Sequence, residues 1–295
     1  MTAEPRSRHP SRDSKAAWLT GGLLFLVASG LLGIFSGGGS VATQSHMAEV
    51  EIQGPILSAE PTLSLIEDAR ERPEVKGVLL RVNSPGGGVG ASESLYKAVA
   101  RLSEEKPVAV SLGDMAASGG YMVALGGDRI FALDSTLTGS IGVIMMSTGV
   151  YPLLDKIGVV PRIIKSGRFK DAGSPLREMS EEDRDYLQSM VDELHGQFVA
   201  MVAEERGMEP GEVRPLADGR VFSGSQARSS GLVDAVGGRE TALQWLREEA
   251  QLGPEAPIRT LEAPEGWLRQ VLPAGLFNWL QLRFAPEPRY LYQGG

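Results

Sequence analysis

The chain of 295 residues has no cysteine. It therefore forms no disulfide, offers no thiol nucleophile and builds no cysteine zinc site. Cysteine-free chains occur in oxidising and reducing compartments alike, so the absence does not choose between them. Histidine is almost as scarce, with only His9, His46 and His195 present. Basic charge is in deficit too: the formal net charge is −8, which argues against a nucleic-acid partner, because such proteins show a basic face. Aromatic residues make up only 6% of the chain. What is abundant is glycine, at 37 residues, which points to many tight backbone positions. A hydrophobic share of 42% is ordinary and excludes both a disordered chain and a polytopic membrane protein.

A local absence is equally informative. No Asp, Glu, Lys or Arg occurs between Lys15 and Glu49. Within that gap Trp18 to Phe35 is a run of 18 apolar or small residues, which as a helix spans roughly 27 Å of a ~30 Å hydrocarbon core. Arg6, Arg8, Arg12 and Lys15 precede it, against Glu4 and Asp13. The positive-inside rule then leaves the N-terminus in the cytoplasm and everything after Phe35 outside it. The rival is a cleaved signal peptide, with Ser40-Val41-Ala42 as an acceptable cleavage site. The apolar run exceeds the usual 7–15 residues of such a signal, which favours a retained anchor. The expected order is a cytoplasmic N-terminus (1–17), an anchor (18–35), a flexible Gly/Ser tether (36–46), one folded domain (47–252) and a C-terminal segment (253–295).

The folded part alternates strand and helix signals. Strands are expected at Val50–Ile52, Val78–Val82, Val108–Leu112, Arg129–Ala132, Ile141–Met146 and Ile163–Ile164. Helices are expected at Pro61–Arg72, Ser92–Leu102, from Ser180, from Ser223 to a stop at Gly231, and at Arg239–Glu249. The helix from Ser180 has Asp183 as cap partner and an apolar stripe of Leu187, Met190, Val191, Leu194, Phe198, Met201 and Val202. Such alternation predicts βαβ units and a mainly parallel sheet, an α/β fold. The tail from Trp267 to Phe284 is rich in Trp, Leu and Phe and reads equally as a finishing core element or as a contact surface.

Two turns follow predicted strands, where ligands bind in parallel sheets. In Asp114-Met115-Ala116-Ala117-Ser118-Gly119-Gly120-Tyr121 small residues make a sharp turn and a helix begins near Ser118. A nucleophilic serine needs such exposure, and a helix N-terminus supplies N–H groups for an oxyanion. The second turn is Asn83-Ser84-Pro85-Gly86-Gly87, whose glycines let backbone amides approach a ligand. Each alone is ordinary turn chemistry. If Ser118 attacks, a base must take its proton. His9 precedes the apolar run, His46 lies in the tether, and His195 sits on an amphipathic helix without an evident partner. A histidine triad is therefore disfavoured and a lysine base is the alternative. Of Lys15, Lys76, Lys97, Lys106, Lys156, Lys165 and Lys170, only the last two lie in a glycine-flanked loop, and Lys170 is the central one. A lysine amine must be neutral to act; moving it from about 10.4 to near 7 takes roughly 4.6 kcal/mol, which burial can supply. Asp171 would oppose this unless its carboxylate points elsewhere.

Arg81-Val82-Asn83-Ser84-Pro85-Gly86-Gly87-Gly88, Met115-Ala116-Ala117-Ser118-Gly119-Gly120-Tyr121, Leu137-Thr138-Gly139-Ser140-Ile141-Gly142-Val143, Ser166-Gly167-Arg168-Phe169-Lys170 and Ala217-Asp218-Gly219-Arg220-Val221-Phe222-Ser223-Gly224, ending in Gly231-Leu232-Val233-Asp234, resemble the signal peptide peptidase A family of Ser/Lys membrane proteases. All lie in order between about Glu49 and Gly238. The resemblance implies a crotonase- or ClpP-like fold, Ser118 as nucleophile and Lys170 as general base. It implies an oxyanion hole from the amides of Gly119 and of the Gly86-Gly87 turn, with Gly87 preferred, and a Ser140 hydroxyl that orients the lysine. It implies no cofactor and no metal. Single-length members share the dyad between neighbouring subunits of a ring, and the family's substrates are remnant signal peptides in the cytoplasmic membrane. Two alternatives carry different consequences: a related Ser/Lys protease for one membrane-protein partner, and a non-catalytic crotonase-like scaffold or acyl-CoA binder.

Overall fold

The computed structural model describes residues 44–262. The expected anchor at 18–35 and the Trp-rich tail lie outside them. Among the described residues no helix is long and apolar enough to cross a membrane.

Chain order is β1 (His46–Gln53), α1 (Glu60–Glu71), β2 (Val75–Ser84), α2 (Val89–Ser103), β3 (Val108–Ala117), α3 (Gly119–Ala124), β4 (Arg129–Ala132), β5 (Leu137–Gly139), α4 (Tyr151–Lys156), α5 (Glu181–Arg206), α6 (Pro210–Val213), β6 (Val221–Ser223), α7 (Gly224–Ser229), β7 (Ala235–Val236), α8 (Arg239–Glu249) and β8 (Ile258–Thr260). The sheet runs β6-β5-β3-β2-β1-β8, and β4 joins β3 to β7. Every pairing is parallel except β5 with β6. The expected mainly parallel α/β architecture is what forms.

Alternation along the strands sends side chains to two cores. Ala48, Val50, Val78, Leu80, Val82 and Val110 pack in the larger core with Leu95 and Val99 of α2 and Phe198 and Val202 of α5. Met47, Leu79, Ala109 and Phe131 face Leu243 and Leu246 of α8 in the smaller one. Replacing Phe198, 2% exposed in the larger core, by alanine is expected to cost about 3–5 kcal/mol. The midpoint of guanidinium unfolding measures it.

Four expectations change. β1 begins at His46, which is buried rather than tethered. β3 does not stop at Leu112: it runs on through Ala117, past an irregularity where Val82 pairs Leu112 and Ser84 pairs Ala116. Side chains satisfy the backbone there, Asn83 Oδ1 accepting from the Met115 N–H and Thr136 Oγ1 donating to the Gly113 carbonyl. Ile141–Met146 is not a strand, because β5 already ends at Gly139 and the Ser140 amide turns away to the Arg220 carbonyl. Ile163–Ile164 is not one either; both side chains face solvent. The α5 stripe is real, but only its C-terminal half is used. Phe198 and Val202 are buried while Tyr186 and Met190 near its start are exposed.

Candidate active site

β3 and β5 deliver two serines side by side. Ala117 pairs Gly139 in register, so Ser118 and Ser140 leave neighbouring strand ends together. The Ser118 N–H donates to the Gly139 carbonyl at 2.8 Å. Thr138 Oγ1 donates to the Ala116 carbonyl at 2.6 Å and fixes that register. Both serines have left-handed backbones, φ 53° at Ser118 and φ 50° at Ser140. A side chain in that region costs on the order of 1–3 kcal/mol and persists only where its surroundings enforce it. At Ser118 the enforcement is plain. The strand must convert within one residue into α3, whose residues Gly119 to Ala124 are all buried.

The glycine turn after β2 closes on this elbow. A methyl group on Gly86 would lie 2.6 Å from the Gly119 nitrogen and 3.0 Å from Ser118 Cβ, so the two turns are in direct contact. One on Gly119 would lie 3.3 Å from the Gly87 nitrogen and 2.2 Å from Ser92 Oγ. The Gly86 N–H is already used, donating to Ser84 Oγ at 3.0 Å. The Gly86 carbonyl accepts from Ile56, and the Ile56 carbonyl accepts from Gly88. Among the described residues the N–H groups of Gly87 and Gly119 have no acceptor. Two free amides thus flank a serine between the N-termini of α2 and α3, where partial positive charge collects. That arrangement can hold a developing oxyanion.

Lys170 stands apart. It sits in a 3₁₀ turn, Arg168–Asp171, within a solvent-facing stretch, and its side chain is exposed. Among the described residues no hydrogen bond joins it to Ser118 or Ser140, and its ammonium has no ion partner. The geometry brings Ser118, Ser140, Gly86, Gly87 and Gly119 together within one chain, and not Lys170. The three other residues of that turn are tied down. Phe169 stacks on Tyr186 at 4.6 Å between ring centroids, and the Arg168 guanidinium lies 4.5 Å over the Phe169 ring. Arg168 also pairs with Glu182 at 2.7 Å. Asp171 takes Arg177 Nε at 2.8 Å and Nη2 at 3.0 Å, and pairs with Lys165. Arg177 and Lys165 hold the Asp171 carboxyl well below the usual carboxylate range. The carboxylate that threatened a lysine base is therefore committed to other cations.

Sequence reasoning did not find Arg177 or Ser92. Arg177 pairs with carboxylates six residues away on either side, a spacing that matches no motif. Ser92 Oγ is buried against Gly119 and has no hydrogen-bond partner among the described residues, but in the sequence it is one small helical residue among several.

The profile of peptidase family S49 matches residues 100–253. A Synechocystis protein, itself named only as a candidate protease, is 38% identical over 233 residues, covering 78% of this chain and 84% of its own length. An Enterococcus faecium protein named as a candidate signal peptide peptidase SppA is 38% identical over 230 residues, 78% of this chain and 67% of its own. The chloroplastic serine protease SPPA of Arabidopsis thaliana is 32% identical over 232 residues, 78% of this chain but 34% of that longer protein.

Proposed function

Because this chain belongs to peptidase family S49, in the company of signal peptide peptidase SppA, we propose that it is a membrane-anchored serine endopeptidase acting through Ser118 and Lys170 on apolar peptides such as remnant signal peptides. The observation that carries the reading is the strained Ser118 elbow flanked by the free amides of Gly87 and Gly119. The name of the Arabidopsis relative, a serine protease, supports the same chemistry.

In this mechanism the Ser118 hydroxyl oxygen attacks a peptide carbonyl carbon while the Lys170 amine takes its proton. The carbonyl oxygen becomes an oxyanion held by the Gly87 and Gly119 N–H groups. Collapse breaks the C–N bond, and the Lys170 ammonium returns the proton to the leaving amine. Water then attacks the acyl-enzyme while Lys170 takes its proton; the ester C–O bond breaks as the Lys170 ammonium returns that proton to Ser118 Oγ, and the acid product is released. Ser140, beside Ser118, orients the amine.

Lys170 belongs, in this reading, to the site of a neighbouring copy. Its exposure and its lack of an ion partner among the described residues support that. So does the apolar surface of the same stretch, where Ile144, Met146, Val160 and Ile164 are all exposed. Patches of this kind are covered in assemblies. Packing against a neighbour would desolvate the amine, the change that favours its neutral form. Residues 18–35 would anchor the ring, with the catalytic domain on the outer side of the cytoplasmic membrane.

The test uses the purified full chain in detergent. It is expected to cut an apolar signal-peptide-like substrate and to take a serine-directed fluorophosphonate on Ser118, located by peptide mass mapping. No cleavage, or an adduct on another residue, would overturn the reading.

A further inference from the structure

We propose that Arg177 is a positioning residue for the general base: by occupying Asp171 and bracing the turn against α5, it keeps that carboxylate off Lys170 and leaves the amine, among the described residues, the one unpaired side chain of its turn. The inference rests on Lys170 being the base.

The geometry is two-sided. Toward the turn, Arg177 grips both oxygens of Asp171 and also donates from Nη2 to the Asp171 carbonyl at 3.3 Å. Toward the body, Nη1 donates to Asp183 and to the Glu178 carbonyl, the latter at 2.9 Å. Asp183 is itself fixed. It is 3% exposed, its N–H donates to the Ser180 hydroxyl at 3.1 Å, and its carboxylate accepts the Ser180 N–H at 3.2 Å. This capping box starts α5, the longest helix described, so the guanidinium ties the turn to a rigid end. A planar fork suits such a bridge, since two parallel N–H groups fix direction as well as charge.

The charged and titratable groups around the turn are Lys165, Arg168 and Asp171 on its own segment, Arg177 and Glu178 after it, and Glu181, Glu182, Asp183 and Tyr186 on α5. Glu182 is occupied by Arg168, and Asp183 by Arg177 and the helix cap. Asp171 is adjacent to Lys170 in sequence, and its commitment to Arg177 and Lys165 decides whether it can reach the amine. Without Arg177 it has one cation fewer, and Lys170 is the neighbouring substitute. A carboxylate beside an ammonium favours the charged form, so the amine then loses its proton at higher pH. Activity that needs the free amine must set in later as pH rises.

The experiment is the pH profile of kcat/KM for an apolar peptide, on full-length assembled protein. Arg177→Gln is expected to move the acid limb up by about 1 unit, with roughly a tenfold loss near neutrality that recovers at high pH. Arg177→Gln combined with Asp171→Asn is expected to bring the limb back to its native position. Lys165→Gln, at a more exposed partner of Asp171, is expected to shift the limb the same way but less, and serves if Arg177→Gln does not fold. An unshifted limb, a loss equal at every pH, or no recovery on adding Asp171→Asn overturns the proposal. Lys170→Ala runs beside them. If it stays active, the base assignment itself fails; if it is inactive while the Arg177→Gln limb does not move, only the positioning role fails.

Discussion

Alanine at Ser118 or at Lys170 is expected to lower kcat by about 10⁴-fold or more, and a mixture of the two inactive proteins is expected to recover about a quarter of native activity. The first half follows from chemistry: without the hydroxyl there is nothing to acylate, and without the amine nothing takes its proton. The second half follows from placement. Ser118 is built into the sheet beside its two amides, whereas Lys170 sits exposed on a stretch whose apolar side chains are uncovered in one chain. If each site takes serine from one copy and lysine from the next, random co-assembly pairs an intact serine with an intact lysine at about one interface in four. Co-expression of differently tagged Ser118→Ala and Lys170→Ala chains, tandem purification and a peptide-cleavage rate give the answer. If both groups come from the same chain, the mixed assembly is as inactive as either parent. Retained activity in Ser118→Ala alone would remove the serine mechanism altogether.

The parts of this fold that local chemistry dictates were legible in the sequence. Arg239–Glu249 forms the helix expected there. Ser180 and Asp183 form the expected capping box. The turn holding Ser118 could be read because a strand signal, small residues and a helix start follow one another. What could not be read depends on partners distant in sequence. Gly113 to Ala117 has a turn's composition, yet it continues β3 because Asn83 and Thr136 satisfy its backbone from elsewhere. Ile141–Met146 and Ile163–Ile164 have strand composition and find no sheet edge among the described residues; Ile141 is buried in the larger core, while Ile144, Met145, Met146, Ile163 and Ile164 are exposed, so their apolar character serves something other than this core. The same holds at the site. Gly86 and Gly87 are alike as residues, and the preference for Gly87 comes from the resemblance alone; the physical difference needs the fold, where the Ser84 hydroxyl takes the Gly86 N–H. Elimination led to Lys170, but the bracing by Arg177, Phe169 and Tyr186 needs the folded chain to be seen.

Gly119→Ala is expected to lower kcat by about 10²–10³-fold with the fold retained, the loss that follows removal of one oxyanion donor. The new methyl group would lie 2.2 Å from Ser92 Oγ and 3.0 Å from Ser92 Cβ. Ser92 is fully buried in the first turn of α2, so it cannot swing into solvent. The Gly119 peptide must move instead, away from the Gly87 nitrogen and out of line with the attacked carbonyl. An oxyanion exists only after attack, so the damage falls on kcat and leaves KM nearly unchanged. A peptide aldehyde, whose adduct with Ser118 carries that oxygen, is expected to lose affinity in proportion, while an uncleaved substrate analogue binds as before. Adding Ser92→Ala to Gly119→Ala removes the closest clash and is expected to return part of the lost rate; a general packing defect would be deepened by the second truncation. Gly87→Ala is the harsher companion, since its methyl group would lie 2.1 Å from the Ile56 carbonyl oxygen, a backbone atom held by the Gly88 N–H. If Gly119→Ala keeps native kcat and aldehyde affinity, the Gly119 amide does not hold the oxyanion, and the free N–H of Gly87 must act with another donor.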